Sequence, residues 1–251
     1  MAPRTTYPMP DPRPAPPLLC VLRLETSFAV VLKPPGLHAV PGRTPEKFDS
    51  IQARARLAFE WAQGPITVHR LDRDTSGLMV VGLTQDSHRS LSIQFQDRKV
   101  DKRYTALLEG SPPASEGLVN LPLCVDWPNR PRHMVDFEHG KPATTRYRVV
   151  KETGDRTLVE FEPVTGRTHQ LRVHAATPVR DGGLGAPIVG DTLYGSMQDD
   201  EIRSPPGRMM LHASGLTFSH PQTGETLAFT DTPDFHGPFA RRPYTPHGEH
   251  P

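Results

Sequence analysis

The chain has 251 residues, enough for one large domain or two small ones with a real core. Its 29 Lys and Arg against 28 Asp and Glu leave a formal net charge of +1, which excludes a global pull toward nucleic acid or anionic membrane, so any polyanion must be held by local patches. No apolar run is long enough to span a bilayer, the N-terminal stretch lacks the apolar segment of a secretory signal, and Cys20 and Cys124 form neither a disulfide framework nor a zinc-type cluster, so a cytoplasmic protein is expected.

In chain order, residues 1–17 are rich in proline and carry no periodic apolar signal, which predicts a disordered extension. The fold is expected over 18–235, with 236–251 as a partly ordered tail. FAVVL at 28–32 reads as the first strand. SIQARARLAFEWAQ at 50–63 has helical spacing at Ile51, Ala55, Ala58 and Ala62, with Ser50 as N-cap. LMVVG at 78–82 reads as a strand, and a second helix starts at Asp86, with Leu91 and Phe95 four apart. Strands follow at 104–110, 146–150 and 157–163, a third helix at 168–176, then LTF and LAF within 216–229. Short turn-like links such as KETGDR suit antiparallel hairpins. Runs of strands with a few inserted helices predict an α+β fold with a mainly antiparallel sheet and flanking helices.

Four stretches concentrate chemistry. In HRLDRDTSGLMV, residues 69–80, Asp72 lies between Arg70 and Arg73 and just ahead of Thr75, Ser76 and Gly77. A carboxylate among cations and hydroxyl donors suits a nucleophile or an electrostatic stabiliser better than a general acid, which needs an apolar pocket. The same residues also suit a plain Asx or Ser/Thr turn with solvated charges. In FEPVTGRTHQLRVHAA, residues 161–176, Arg167 falls near a helix start, where an anion such as an RNA phosphate is favoured. His169 and Arg172 are three apart and share a side, whereas His169 and His174 are five apart, which does not fit a metal motif. FQDRKVDKRYTALLEG sets Arg98, Lys99, Lys102 and Arg103 beside Tyr104, a mixture suited to RNA or to a solvated helix end. VDWPNRPRHM, residues 125–134, places Trp127, Arg130 and Arg132 in a proline-stiffened loop of the kind that binds or simply turns.

Jointly these stretches resemble the RluA family of pseudouridine synthases. AVVLKPPGLHAVPG resembles that family's first motif, HRLDRDTSGLMV its catalytic motif, RKVDKRYTALLEG its tyrosine-bearing strand and PVTGRTHQLRVH its arginine-bearing motif. PIVGDTLYG and LHASGLTFSHPQTGE resemble the closing segments, in the same order from about residue 25 to 235. VPGR at 40–43 and the segment 121–147 are similar to the small dual-specificity members that act on 23S rRNA and tRNA.

The resemblance implies a cleft across the sheet in which the glycosidic bond of uridine is cut and the base rejoined through a ring carbon. It implies Asp72, Tyr104 and Arg172 as catalytic residues and Arg70 as the side chain that fills the place of the flipped base. Leu171 would line the uracil pocket. Arg167, near the helix start, and His169 are added from the residue reading as further substrate-binding candidates. No metal or cofactor is implied, and the partners are stem-loops of 23S rRNA and the tRNA anticodon arm, met by a monomer away from any membrane. Segment 177–191 departs from the family as a longer, Gly-rich link, expected to be a surface insertion or a flexible lid. Three rivals are another rRNA or tRNA uridine, a catalytically silent RNA-binding domain, and a glycoside hydrolase needing a second carboxylate such as Asp74 or Asp191.

Overall fold

A computed structural model of the chain describes residues 19–195, 208–233 and 235. The predicted N-terminal extension at 1–17 and the tail at 236–251 lie outside the described residues.

Strand β1 (Cys20–Leu24) pairs with β2 (Phe28–Lys33), and helix α1 (Ile51–Ala58) precedes β3 (Ser76–Gly82). β2 and β3 are antiparallel and buried along their whole length. Alternation sends their side chains to opposite faces. Phe28, Val30, Leu32, Leu78 and Val80 meet Leu91 of helix α2 (Gln85–Gln96), while Ala29, Val31, Met79 and Val81 meet Ile51 and Ala55 of α1. A strand covered on both sides by helices reads as an unbroken apolar run. FAVVL and LMVV show that run.

Ser50 caps α1 as predicted, accepting a hydrogen bond from Ala53 N at 3.1 Å, but the helix ends at Ala58 rather than near 63. Phe59 turns inward to 1% exposure, and Gly64 and Pro65 follow, so the periodic alanine at 62 lies beyond the last turn. α2 opens one residue before Asp86, with a Thr84–Ser87 capping box.

The second half brings β4 (Asp101–Glu109), β5 (Glu116–Asn120), a hairpin of β6 (Leu123–Val125) and β7 (His133–Val135), then β8 (Thr144–Thr153) and β9 (Arg156–Pro163). Helix α3 (Gln170–Ala176), β10 (Leu211–Ser219) and β11 (Thr226–Thr230) complete it. The main sheet has nine strands in the order β1-β2-β3-β10-β4-β9-β8-β5, with β11 beside β10. Among the described residues every strand pairing of this sheet is antiparallel except β3 with β10, so the α+β class with a mainly antiparallel sheet holds. α3 packs Leu171 and Ala175 on Ala106, Leu108, Val159 and Phe161, making the core of this half.

Segment 177–191 is neither a surface insertion nor a lid. Leu184 N and Ala186 N donate to His174 O and Ala175 O, and Val189 N donates to Leu107 O at 2.9 Å. Leu184, Ala186 and Ile188 are at most 1% exposed. The apolar residues between the glycines add this backbone to the α3 and β4 core, and a side chain at Gly183 would collide with Thr177 O at 2.2 Å.

Candidate active site

The site starts from the turn that joins the long loop after α1 to β3. Asp72 O accepts from Thr75 N at 3.2 Å, placing the Asp72 side chain at the mouth of the turn. His69 anchors one end of it. Its Nε2 accepts from Val80 N at 3.1 Å and its ring stacks on Phe95 at 4.2 Å. Burial pushes this imidazole down to about 3, so it serves as a neutral acceptor. The other end is held by Gly77, whose φ is +115° and where a Cβ would sit 2.3 Å from Ala213 O across the parallel β3–β10 seam.

From below, the fully buried Lys33 Nζ donates to Pro34 O, Leu37 O and Arg73 O at 2.9, 2.7 and 2.7 Å. Burial draws its ammonium down to about 7, against the attraction of Asp74 and Asp72. Next to it Ser76 Oγ lies 2.9 Å from His212 Nδ1, and His212 Nε2 lies 3.1 Å from Asp231, a polar layer buried beneath the turn.

α3 brings the partners of Asp72. Arg172 Nη1 stands 3.6 Å from Asp72 Oδ2, but its two hydrogen bonds go to Asp191, from Nε at 2.7 Å and from Nη2 at 2.6 Å. Arg172 therefore pairs with two carboxylates. Asp191 holds the bidentate bond, and Asp72 shares the remaining side of the guanidinium. Burial opposes this charge, yet Asp191 first and Asp72 next hold the Arg172 pKa raised.

The spacing of three predicts His169 as a helical neighbour of Arg172; it is instead the N-cap of α3, in the left-handed region at φ 56°. That conformation is uncommon for a non-glycine residue and turns the ring toward Asp72, with Nε2 at 4.0 Å from Oδ2. His169 Nδ1 meets Tyr194 Oη at 2.7 Å, and Tyr194 Oη also accepts from His133 N at 2.7 Å. Burial raises the Tyr194 phenol to about 12. A neutral phenol that accepts from His133 donates to Nδ1, which leaves the Nε2 proton facing Asp72.

Tyr104 of β4 is half-buried beside this group. Its hydroxyl is pushed above the usual range by burial and then by the Asp72 charge. Strand alternation puts Lys102 on the Tyr104 side and turns Arg103 away, 4.0 Å from Glu160. Of the basic cluster, Arg98 and Lys102 line the cleft, and Lys99 pairs with Asp97 at the surface.

Asp72, Tyr104, Arg172, Arg70, Leu171, Arg167 and His169, the seven residues singled out from sequence, all line one cleft of about 1080 Å³. Arg70 is exposed on the rim and Leu171 is buried in the wall. Arg167 is less free than expected, since its Nε donates to Pro142 O at 3.2 Å. The helix start it was placed at is capped internally by Gln170, whose Oε1 accepts from Arg167 N and Thr165 Oγ1.

Tyr194, Gln170 and Lys33 are not among the residues singled out from sequence, and Asp191 entered only as a possible second carboxylate. The resemblance of PIVGDTLYG to a closing segment of the family is the one signal that pointed toward Asp191 and Tyr194. A carboxylate flanked by a guanidinium, an imidazole and a phenol, in a cleft with a cationic rim, can act at an anomeric carbon of a polyanion. Asp191, committed to Arg172, is not placed to serve as the protonated acid a glycosidase requires.

Comparison with known proteins agrees with this chemistry. The sequence profile described as RNA pseudouridylate synthase matches residues 27–177. The dual-specificity RNA pseudouridine synthase RluA of Escherichia coli strain K12 is 44% identical over 223 residues, covering 88% of this chain and 96% of the relative. The protein of the same name from Yersinia pestis is 41% identical, covering 86% of this chain and 100% of the relative. The solved structure of human RNA pseudouridylate synthase domain containing 1 superposes with a TM-score of 0.67 at 30% identity, covering 86% of this chain and 83% of that one. The chain thus belongs to the RNA pseudouridylate synthase family, in its RluA branch, and is an isomerase that acts on RNA.

Proposed function

We propose that the cleft converts uridine to pseudouridine in two kinds of stem-loop, a 23S rRNA hairpin and the tRNA anticodon arm, with Asp72 as the catalytic carboxylate. One observation supports the assignment of roles. Asp72 meets Arg172 at 3.6 Å and His169 at 4.0 Å in the cleft that Tyr104 lines, under a rim carrying Arg70, Arg73, Arg98 and Lys102. The pair of RNA targets rests on the dual specificity named for the bacterial relatives.

A stacked uridine cannot present its glycosidic bond, so it must be flipped out at a cost of roughly a few kcal/mol, less from a loop than from a duplex. Arg70 takes the vacated place and Leu171 forms part of the wall against the base. Asp72 then assists departure of uracil from the anomeric carbon. The C1′–N1 bond breaks, the base turns, and C5 bonds to C1′. The C5 proton leaves and N1 gains one, so no atom is gained or lost overall. Tyr104, kept as a neutral phenol, closes over the ring and takes the C5 proton only while passing its own on to solvent.

The test is release of tritium from C5-labelled transcripts. Wild-type protein should release it from both stem-loops, and Asp72→Asn should release none while binding both. Release from a different transcript alone would move the target to another uridine. Binding without any release by wild type would make the chain a silent RNA-binding domain and overturn the proposal.

A further inference from the structure

The loop between β6 and β7 supports the catalytic site at its base and carries an exposed tryptophan at its tip. At its base, His133 N donates to Tyr194 Oη, the phenol that meets His169. Pro131 lines the catalytic cleft. The tip is built to hold its shape. Asp126 N donates to Arg132 O at 3.0 Å, Asn129 N to Asp126 O at 3.1 Å, and Arg132 N to Asn129 O at 3.0 Å. Asn129 Nδ2 reaches both oxygens of the Asp126 carboxylate, at 3.1 and 3.0 Å. The loop's one acid is therefore spent inside the loop, and with Arg132 turned onto the Tyr194 ring at 5.3 Å, Arg130 sets the charge at the tip.

On this frame Trp127 is 67% exposed, with the Arg130 guanidinium 4.1 Å from its ring centroid. A cation over one face of an indole is worth about 0.5–1 kcal/mol when exposed, too little to explain holding so large an apolar ring in water. A ring stiffened on one side and open on the other is a stacking surface. Beside a cleft with a cationic rim, the partner that fits is an unpaired nucleobase, which brings a π-face and a phosphate together.

We propose that Trp127 and Arg130 form a second RNA subsite, on which an unpaired base flanking the flipped uridine stacks while Arg130 faces its phosphate. The proposal rests on the cleft acting on RNA stem-loops, and it makes the hairpin a determinant of which loops are accepted. The wall at Pro131 gives the route from subsite to cleft.

The chain has two tryptophans, so Trp61→Phe leaves Trp127 as the sole indole emitter. In Trp61→Phe combined with Asp72→Asn, titration with a tRNA anticodon stem-loop should quench that emission over the concentrations at which labelled-RNA anisotropy reports binding. In an otherwise wild-type chain, Trp127→Ala should lower kcat/KM for tritium release by about 5- to 150-fold, which is ~1–3 kcal/mol of base stacking at about 1.4 kcal/mol per tenfold. The loss should fall on KM, with kcat within about twofold and Trp127→Phe recovering most of it. Full RNA binding without quenching, or Trp127→Ala within about twofold of wild type in kcat/KM on both a tRNA and an rRNA stem-loop, would overturn the subsite. Wild type releasing no tritium would overturn the catalytic reading instead, and the quenching would still read the stacking directly.

Discussion

Arg172 is shared by two carboxylates, and they ask different things of it. Asp191 is fully buried at its side chain, whereas Asp72 is 24% exposed at the cleft. Removing the buried partner strands a charge in the interior, so Asp191→Ala should destabilise the protein by about 3–5 kcal/mol in urea unfolding. Asp72→Asn keeps the shape and the hydrogen-bonding edge of a partly solvated group. It should abolish turnover with stability within about 1 kcal/mol of wild type. Equal destabilisation by both would contradict the division of labour. Tyr194→Phe removes the hydroxyl between His133 N and His169 Nδ1. It should lower kcat by about 10- to 100-fold with KM little changed, and shift the His169 tautomer seen by nitrogen NMR. Asp72, Tyr104 and Arg172 were singled out by the resemblance of their three motifs, since residue types alone left a plain turn open, and the fold brings them to one cleft. Asp191 was not, because its role depends on a contact that only the packed 177–191 segment creates.

The elements show where patterning carries information. β2 and β3 were legible as apolar runs because helices cover both of their faces. β1 and β5 were not foreseen. Each is a five-residue strand at a sheet edge with few buried positions, so the alternation is weak. The β6–β7 hairpin has three-residue strands around a polar loop, below the length at which periodicity can be read. The opening turn is the reverse case, since SG before LMVV reads as turn chemistry but hides a packing demand. Gly77 is where β3 meets its parallel neighbour β10, and a methyl group there meets Ala213 backbone under a positive φ. Gly77→Ala should therefore cost more than the ~1 kcal/mol of an ordinary glycine replacement, and should show reduced activity through displacement of Asp72. Thermal unfolding and tritium release on the same preparation check it; a variant as stable and active as wild type would refute the constraint.

At the scale of the whole molecule, the buried bases govern the response to pH. His69 and His174 are pushed by burial to about 3 and about 4, from an ordinary 6.5. Each is a hydrogen-bonded neutral imidazole: His69 accepts from Val80 N, and His174 lies between Thr145 Oγ1 at 2.9 Å and Leu121 O at 3.3 Å. As pH falls below about 6.5 the unfolded chain takes up protons that the folded chain refuses, so stability falls with pH and levels only below the folded values. Asp49, held down chiefly by Arg54, and Asp136, held down by the His139 and Glu138 amides, start from an ordinary 3.8. Their stabilisation is lost only below that value, which leaves the interval from about pH 6.5 to 4.5 to the histidines. Lys33 acts in the same sense at higher pH: between about 7 in the folded chain and 10.5 in the unfolded one, proton release by the folded form makes stability rise. Urea unfolding of wild type across the acid interval should show a steady loss of stability, and His174→Gln, which keeps an amide for Thr145 and Leu121, should show a shallower one. A slope unchanged in both His69→Gln and His174→Gln would mean that protons taken up elsewhere drive the acid transition.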